Sequence, residues 1–245
     1  MLHFPVLLEE SVDFLVQKIN GNYIDCTYGR GGHTSAILDK ISEEGHLTSF
    51  DKDHEAFKHA SNVIKDNFRP IHKSFNKIDR YFDNNSIDGI LYDLGTCSTH
   101  FDDGSRGFSF RSDGPLDMRF NISKGEPLSI WINKASQEEI MEVLYKYGEE
   151  KHGKLIAKKI IESRKIDFIK TTLQLSQIIA DIYPEKKIKI HPATKSFQAF
   201  RIFINDELNQ LTKSLSQASK IIKKDGVIVV ISFHSLEDNI VKNFF

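Results

Sequence analysis

Short β-like runs alternate with helical stretches over residues 1–94, and this alternation constrains the fold more than any other feature. Two parallel strands need a long crossover between them, usually a helix, so repeated βα units build a parallel sheet. Each run is bounded by turn residues or followed by a segment of helical length and composition. The predicted strands are residues 23–27, 47–51, 70–73 and 89–94.

The alternation stops after the fourth strand, and the pattern becomes helical. Residues 95–120 are rich in Gly, Ser, Asp and Arg, and a polar connection of this length is typical of an active-site loop. Helices are then predicted from apolar periodicity and from two capping boxes, Ser136 with Glu139 and Thr171 with Gln174.

A last strand returns the chain to the sheet. Residues 227–232 form an apolar run without polar alternation, as expected of a buried parallel strand. We therefore predict an α/β domain of residues 1–120 and 206–245. It is interrupted after its fourth strand by an all-helical insert, residues 121–205, which we interpret as the substrate-recognition domain.

Composition places the chain among globular proteins of a reducing compartment. Hydrophobic residues make up 40% and the formal net charge is −1, which excludes a disordered chain. The longest aliphatic run, residues 227–231, is far shorter than the ~20 residues that span a bilayer, so no membrane partner is expected. Only Cys26 and Cys97 occur, which favours a cytoplasmic location.

The charge is unevenly distributed. Residues 151–224 hold 16 basic and 6 acidic side chains, a net charge of +10. Such a stretch can be a solvated surface, or it can face the phosphates of a nucleic acid, where clustered Lys and Arg release counterions on binding. Composition leaves both readings open.

A glycine-rich turn follows the first strand. Residues 28–33 read Tyr-Gly-Arg-Gly-Gly-His and lead into a helix, an arrangement that brings backbone N–H groups close to a ligand. A phosphate-binding P-loop would need a GK[ST] ending, and the dinucleotide fingerprint would need Gly at position 34, where Thr34 stands. Asp51 ends the second strand, where a carboxylate can bind both ribose hydroxyls. The segment favours S-adenosylmethionine over NAD.

Further candidates lie where the strands end, because sheets of this type bind ligands at the carboxyl ends of their strands. Asp93 ends the fourth strand and His234 follows the last one. Their alternative roles are a turn cap and a structural histidine. Phe75 follows the third strand and could pack on an adenine or join the core.

Residues 106–119 combine Arg, Phe, Gly and Asp at high density. Guanidinium groups bind phosphates, aromatic faces stack on unpaired bases, and carboxylates accept hydrogen bonds from exocyclic amines, so this mixture suits a nucleotide drawn out of its stack. The alternative is a loop held by internal Arg–Asp pairs. Zinc is not expected, because His54-Glu55 and His59 lack the spacing of a zinc helix. Serine hydrolysis is not expected either, because Arg111 replaces the last Gly of a nucleophile elbow.

Several strings together resemble the bacterial 16S rRNA cytosine-N4 methyltransferase family, the small-subunit methyltransferase H family. The resemblance covers nearly the whole chain and is carried by long, chemically unusual strings. These are HFPVLLEE at 3–10, the GRGGH turn at 29–33, RGFSF at 106–110, DGPLDMR at 113–119, GEE at 148–150, and residues 191–201 and 232–238.

The resemblance implies a Rossmann-like class I methyltransferase sheet with an inserted helical domain. It also implies transfer of a methyl group from S-adenosylmethionine to a cytidine in the decoding (P-site) region of 16S rRNA. By matching positions, the cofactor would contact Gly31, Gly32, His33, Asp51, Phe75, Asp93 and His100. His100 stands where the family usually has Gln.

The substrate is predicted to contact Arg106, Phe108, Arg119, Lys195, Arg201 and His234. Lys195 and Asn239 replace Arg of the family pattern, which weakens bidentate phosphate recognition. Family members usually continue with a basic tail beyond the position of Phe245. The predicted partner is 16S rRNA of the small ribosomal subunit, and a homodimer is one oligomeric state that the sequence leaves open.

The predicted chemistry is in-line methyl transfer without a metal, helped by a group that accepts the amine proton. Asp93 and Asp117 are the candidate acceptors, and the sequence does not choose between them. Two other functions remain as alternatives. One is an NAD-dependent oxidoreductase that uses the same crevice, and the other is an RNA-binding module that needs no cofactor.

Overall fold

The structure is a computed structural model that describes residues 5–183 and 190–245. The chain divides into two compact units, unit 1 with Met1–Cys97 and Leu208–Phe245, and unit 2 with Ser98–Glu207. The predicted insert lies inside unit 2, together with most of the 95–120 loop that was assigned to the α/β domain. The first two residues of the HFPVLLEE string, His3 and Phe4, lie outside the described residues.

Unit 1 is built on one parallel sheet of five strands, and the predicted α/β fold is confirmed. The spatial order is β3-β2-β1-β4-β5, so the order reverses between β1 and β4. All four strand pairs are parallel. The strands are β1 (Asn22–Asp25), β2 (His46–Asp51), β3 (Phe68–His72), β4 (Ile87–Asp93) and β5 (Ile222–Ile231).

The last strand begins five residues earlier than the sequence predicts. Ile222 already pairs with Ile87, and the register then shifts before Gly89 pairs with Val227. The polar residues 223–225 lie at this irregularity, and they break the apolar run by which a buried strand is recognised.

Eleven α-helices are present in the part of the chain that the structure describes. The predicted capping boxes at Ser136 and Thr171 are both confirmed at the helices they begin. In chain order the helices are α1 (Leu8–Leu15), α2 (Gly32–Lys40), α3 (His54–Ala60), α4 (Ser98–Asp102), α5 (Leu128–Lys134), α6 (Gln137–Gly148), α7 (Gly153–Arg164), α8 (Thr172–Ala180), α9 (Thr194–Asn205), α10 (Glu207–Ile221) and α11 (Ser235–Phe244). Within the described ranges, no helix is both long and apolar enough to cross a bilayer.

The sheet of unit 1 is covered on both faces, because neighbouring residues of a strand point to opposite sides. On one face, Tyr23 and Leu91 pack with residues of α1 and α2. On the other, Ile24 and Ile90 pack with residues of α10. Burial on both faces leaves the ends of the strands as the place where polar side chains can gather around a ligand.

Asp88 links three segments at the amino end of the sheet. Its carboxylate accepts hydrogen bonds from Lys223 at 2.6 Å, from Lys18 at 3.2 Å and from the Asn22 N–H at 3.0 Å. Burial raises the pKa of Asp88, but these hydrogen bonds outweigh burial and hold it below its ordinary value of 3.8.

We expect Asp88→Ala to lower the free energy of unfolding by about 1–3 kcal/mol, because it removes the buried acceptor of three hydrogen bonds, two of them from charged lysines. A group with a lowered native pKa stabilises the fold above its unfolded pKa, and this contribution is lost as the pH falls through the native pKa. The difference in urea unfolding between wild type and variant should therefore be full at pH 7 and much smaller at pH 3. An equal difference at both pH values would contradict this assignment.

Candidate active site

The glycine turn between β1 and α2 is hydrogen-bonded to the carboxyl end of β2. Gly29 and Gly31 have φ angles of 55° and 79°, and Gly31 immediately precedes α2. The Gly29 N–H donates to Asp51 Oδ2 at 2.9 Å, and Asp51 Oδ1 accepts the Asp53 N–H at 2.8 Å. The structure thus places Asp51 directly beside the turn.

Packing within unit 1 explains two of the glycines. A Cβ atom at Gly31 would lie 2.6 Å from Tyr28 Oη, and that buried hydroxyl is hydrogen-bonded to His59 Nδ1 at 2.8 Å. At Gly32, an added Cβ would overlap the ring of Pro5. A side chain at either position would therefore disturb the turn even before a ligand is considered.

Asp93 lies at the end of β4, next to the same turn. Its N–H donates to Thr27 Oγ1 at 2.7 Å, and its Oδ2 is 3.5 Å from His33 Nδ1. Its Oδ1 is buried and has no hydrogen-bond partner among the residues that the structure describes. Burial and the charges of Asp25 and Glu237 raise the pKa of Asp93 to about 7. Asp93 can therefore exchange a proton near neutral pH.

Asp25 is a fully buried carboxyl group at the end of β1. It accepts hydrogen bonds from Thr34 Oγ1 at 2.7 Å and from the Thr27 N–H at 3.0 Å. Burial raises its pKa, and these hydrogen bonds oppose the rise. Burial also lowers the pKa of His33, against the opposing effects of the Asp25 charge and of the Val6 carbonyl group.

His234 and Glu237 lie at the carboxyl end of β5. Helix α11 begins at Ser235, and the His234 side chain caps it. His234 Nδ1 accepts the Glu237 N–H at 3.4 Å, and its Nε2 lies 3.2 Å from Glu237 Oε1. Glu237 is only 2% exposed, and its Oε2 accepts the Phe233 N–H at 2.9 Å.

Three carboxyl groups, which we call the carboxyl cluster, therefore meet at the ends of β1, β4 and β5: Asp25, Asp93 and Glu237. Concentrated negative charge with one unpartnered oxygen fits a cationic ligand, and a sulfonium is such a cation. Among residues 5–183 and 190–245, no group of three His, Cys, Asp or Glu side chains is arranged to hold a metal ion.

Phe75 begins a short 3₁₀ helix after β3 and is half-buried. Its ring meets the Tyr92 ring edge-on, with centroids 5.6 Å apart. Asp51, Phe75 and Asp93 thus follow or end three different strands of one parallel sheet, at its carboxyl edge.

In unit 2, Arg106, Asp117 and Arg119 of the 106–119 loop bond to the loop itself or to residues that follow it. The Arg106 guanidinium donates to the carbonyl groups of Arg119 and Phe120 at 3.2 and 3.1 Å. Arg119 forms a bidentate pair with Asp117, with N–O distances of 2.7 and 2.8 Å. Internal pairing, the alternative reading of this loop, is what the structure shows, and Asp117 is committed to Arg119.

The rings of His100 and Phe108 lie in the core of unit 2. Their centroids are 4.9 Å apart, and both rings pack against Phe120. His100 is 8% exposed and Phe108 is 4% exposed. The structure thus gives these two residues a packing role, which the sequence pattern did not indicate.

The two basic candidates of α9 differ in exposure. Arg201 is largely buried and pairs with Glu207 through two N–O distances of 2.9 Å. Lys195 is exposed, and its Nζ donates to the Glu149 carbonyl group at 3.3 Å. Lys195 therefore has the freedom to meet a phosphate, whereas Arg201 braces the start of α10.

The sequence missed Asp25 and Glu237 as site residues. The available signal for Asp25 was a carboxylate inside an otherwise apolar strand, where a charge is costly. Glu237 gave a weaker signal, because a Glu in the first turn of a helix is ordinary capping chemistry.

Comparison with known proteins identifies the family. The sequence matches the MraW methylase family over residues 1–245. It is 45% identical to ribosomal RNA small subunit methyltransferase H of Alteromonas mediterranea, over 99% of this chain and 79% of that protein. It is 48% identical to the protein of the same name from Mycoplasma capricolum, over 99% of this chain and 81% of that protein.

A solved structure of an rRNA methylase from Streptococcus thermophilus is also similar, with a TM-score of 0.30 and 22% identity, covering 40% of this chain and 60% of that chain. The family match confirms the predicted resemblance and the predicted methyl donor. Because the family is one of methylases, the match favours methyl transfer over the two alternatives, an oxidoreductase and an RNA-binding module without a cofactor. The chain belongs to the MraW methylase family and is an S-adenosylmethionine-dependent methyltransferase.

Proposed function

We propose that the protein methylates the exocyclic N4 amine of a cytidine in the decoding region of 16S rRNA. The names of its relatives support small-subunit rRNA as the substrate class. The strings at 106–110 and 113–119, which resemble the cytosine-N4 family, support the base and its position. The observation that carries the proposal is the buried, unpartnered Oδ1 of Asp93 beside the glycine turn.

We propose that Gly31, Gly32, His33, Asp51, Phe75 and Asp93 hold the methyl donor. When bound, the donor supplies an electrophilic methyl group on a sulfonium. The Asp51 carboxylate lies beside the turn, and carboxylate oxygens can accept hydrogen bonds from ribose hydroxyls. His100 is left out of this set, because its ring is buried between aromatic rings of unit 2.

Asp93 is the proposed acceptor for the amine proton. The N4 lone pair is delocalised into the pyrimidine ring, so a hydrogen-bond acceptor on the amine raises its nucleophilicity. Transfer of the methyl group would break its bond to the donor sulfur, leaving S-adenosylhomocysteine, and form the N–CH₃ bond. The nitrogen then gives up a proton, and the Asp93 carboxylate takes it up and later releases it to water. Asp117 is not assigned this role, because its two oxygens are held by Arg119.

For the RNA, we propose a lysine row on unit 2, formed by Lys151, Lys154, Lys158 and Lys165. All four are exposed, and their spacing places them along one side of α7 and the turns that flank it. The opposite side of α7 is buried through Gly153, Ile156, Ala157 and Ile160. One acidic partner is recorded for the row, Glu162, at 3.8 Å from Lys158.

Removing three lysines of the row should weaken RNA binding mainly at low salt. We expect Lys154→Gln, Lys158→Gln and Lys165→Gln together to reduce the slope of log K against log salt by roughly two units, because each phosphate of single-stranded RNA that a lysine neutralises adds about 0.7 to this slope. The matched control replaces Lys58, Lys213 and Lys220, which are exposed lysines of unit 1. Equal slopes for the two triple variants would refute the assignment.

Transfer of a labelled methyl group tests the proposed substrate class. The protein is incubated with S-adenosylmethionine labelled in its methyl group and with ribosomal RNA of the small or the large subunit. We expect label in the small-subunit RNA alone. Label in neither RNA, or equal label in both, would overturn the proposal.

A further inference from the structure

Glu237 is a buried carboxylate for which the structure records neither a lysine nor an arginine partner within its described residues. Burial of a carboxylate is unfavourable unless hydrogen bonds or charges compensate. The Phe233 N–H donates to Oε2 at 2.9 Å, which compensates in part, whereas His234 Nε2 lies 3.2 Å from Oε1 without a hydrogen bond among the described residues. Because burial of the Glu237 carboxyl group lowers stability, its presence calls for a functional reason.

Both the side chain and the backbone N–H of Glu237 form hydrogen bonds with the turn between β5 and α11. Because His234 Nδ1 accepts the Glu237 N–H, the proton of a neutral imidazole lies on Nε2, which faces the Glu237 carboxylate. His234 thus has no lone pair left to act as a base. The hydrogen bond from Phe233 needs only an acceptor, which a glutamine would also supply, so capping does not explain the negative charge.

Glu237 lies in the first turn of the helix that follows β5, the strand paired with the end of β4. The register pairs Asp93 with Ile231, which brings the end of β4 next to the end of β5. Asp93 is surrounded by titratable groups from three elements, which are Asp25 of β1, His33 of α2 and Glu237 of α11. Burial, then Asp25, then Glu237 raise the pKa of the Asp93 carboxyl group.

We propose that Glu237 is a positioning residue for the methyl transfer: it holds the β5–α11 turn, and its negative charge strengthens Asp93 as the acceptor of the amine proton. A carboxylate with neighbouring negative charge binds a proton more tightly and is therefore a better base. The proton moves from N4 to Asp93 and then to water, and Glu237 takes no part in the transfer. This inference rests on the proposed function, in which Asp93 accepts that proton.

Three variants separate charge from capping. Glu237→Gln keeps a hydrogen-bond acceptor for the Phe233 N–H but removes the charge, whereas Glu237→Ala removes both. The matched control is Asp238→Asn, which removes one charge from the same helical turn. Asp238 is half-exposed and pairs with Lys242 at 2.7 Å. Thermal unfolding of each variant shows whether the fold is kept.

The first readout is the pH profile of single-turnover methyl transfer. We expect the acid limb of Glu237→Gln to move to lower pH by about 0.5–1 unit, so that its rate relative to wild type is higher at pH 6 than at pH 8. Glu237→Ala should show the same shift and a plateau lower by about tenfold or more. Asp238→Asn should follow the wild-type profile.

The second readout does not need activity. The ¹³C resonance of the Asp93 carboxyl group, assigned by its loss in Asp93→Asn, is titrated in wild type and in Glu237→Gln. We expect the midpoint to fall in the variant, and an unchanged midpoint would overturn the inference. If the Asp93 midpoint fell in Glu237→Gln but the wild-type protein transferred no methyl group, the proposed function would be refuted. The effect of Glu237 on Asp93 would still stand.

Discussion

Asp93→Asn is expected to reduce the single-turnover rate of methyl transfer by about 10²- to 10⁴-fold while the fold is kept. The asparagine side chain can still accept one hydrogen bond from the amine, but it cannot take up the proton. The substitution leaves the Asp93 N–H to Thr27 Oγ1 hydrogen bond in place, because that bond uses only the backbone of residue 93. The loss should therefore appear in the chemical step.

The same substitution should raise stability. Burial and the neighbouring carboxylates hold the native pKa of Asp93 at about 7, above its ordinary value of 3.8. Ionised Asp93 therefore destabilises the native state increasingly as the pH rises from about 4 to above 7. Asparagine removes this charge, so the melting temperature of the variant should exceed that of wild type by a few degrees at pH 8 and by much less at pH 4.

Asp117→Asn is the comparison that distinguishes the two carboxylates. Since Asp117 is bonded to Arg119, its loss should lower the melting temperature and reduce the rate of the chemical step less than tenfold. If Asp93→Asn and Asp117→Asn kept their folds and showed equal rates, Asp93 would not be the proton acceptor.

Gly31→Ala is expected to weaken binding of the methyl donor at least about tenfold and to destabilise the protein. The left-handed backbone at φ 79° costs an L-residue about 1–2 kcal/mol, and the new methyl group would push on the buried Tyr28 ring. Displacement of Tyr28 should disturb the glycine turn, which is hydrogen-bonded to Asp51 through the Gly29 N–H. Calorimetric titration with S-adenosylhomocysteine measures the binding.

Gly125→Ala is the matched control for this substitution. Gly125 has a similar φ of 66°, but no atom lies within 4 Å of the position of an added Cβ. Gly125→Ala should lose only the stability that the left-handed backbone costs an alanine. It should bind S-adenosylhomocysteine as tightly as wild type does. Equal affinities for the two variants would show that the turn at Gly31 does not shape the donor site.

The strands and their parallel direction could be predicted because they follow from the local pattern of apolar residues in the sequence. Four parallel pairs follow from short apolar runs separated by helical segments. The start of β5 was missed where Lys223, Lys224 and Asp225 interrupt the apolar pattern at a register shift. Similarly, most of the 95–120 loop was assigned to the α/β domain, although Ser98 and later residues cluster with unit 2.

The position of a residue at the end of a strand was easier to predict from the sequence than the partner of its side chain. Asp51 and Asp93 lie where strands end, and the structure puts both beside the glycine turn. The pairing of Asp117 with Arg119 and of Arg201 with Glu207 depends on tertiary geometry. Composition shows only that such groups are abundant, so it cannot tell a phosphate contact from an internal pair.

The carboxyl cluster suggests why the missed residues matter. Asp25 and Glu237 do not face solvent, and each raises the energy of an ionised Asp93. These buried carboxyl groups cost stability at the carboxyl ends of the strands, where the proposed mechanism needs an acceptor for the amine proton. The ion pairs of Asp88 with Lys18 and Lys223 stabilise the opposite end of the same sheet.

Mass spectrometry of the nucleosides of small-subunit rRNA tests the central claim most directly. The RNA is treated with wild-type protein and S-adenosylmethionine, and with Asp93→Asn in parallel, and is then digested to nucleosides. The account predicts N4-methylcytidine with wild type and almost none with the variant. A methyl group on cytosine C5 or on another base, or equal N4-methylcytidine with both proteins, would contradict it.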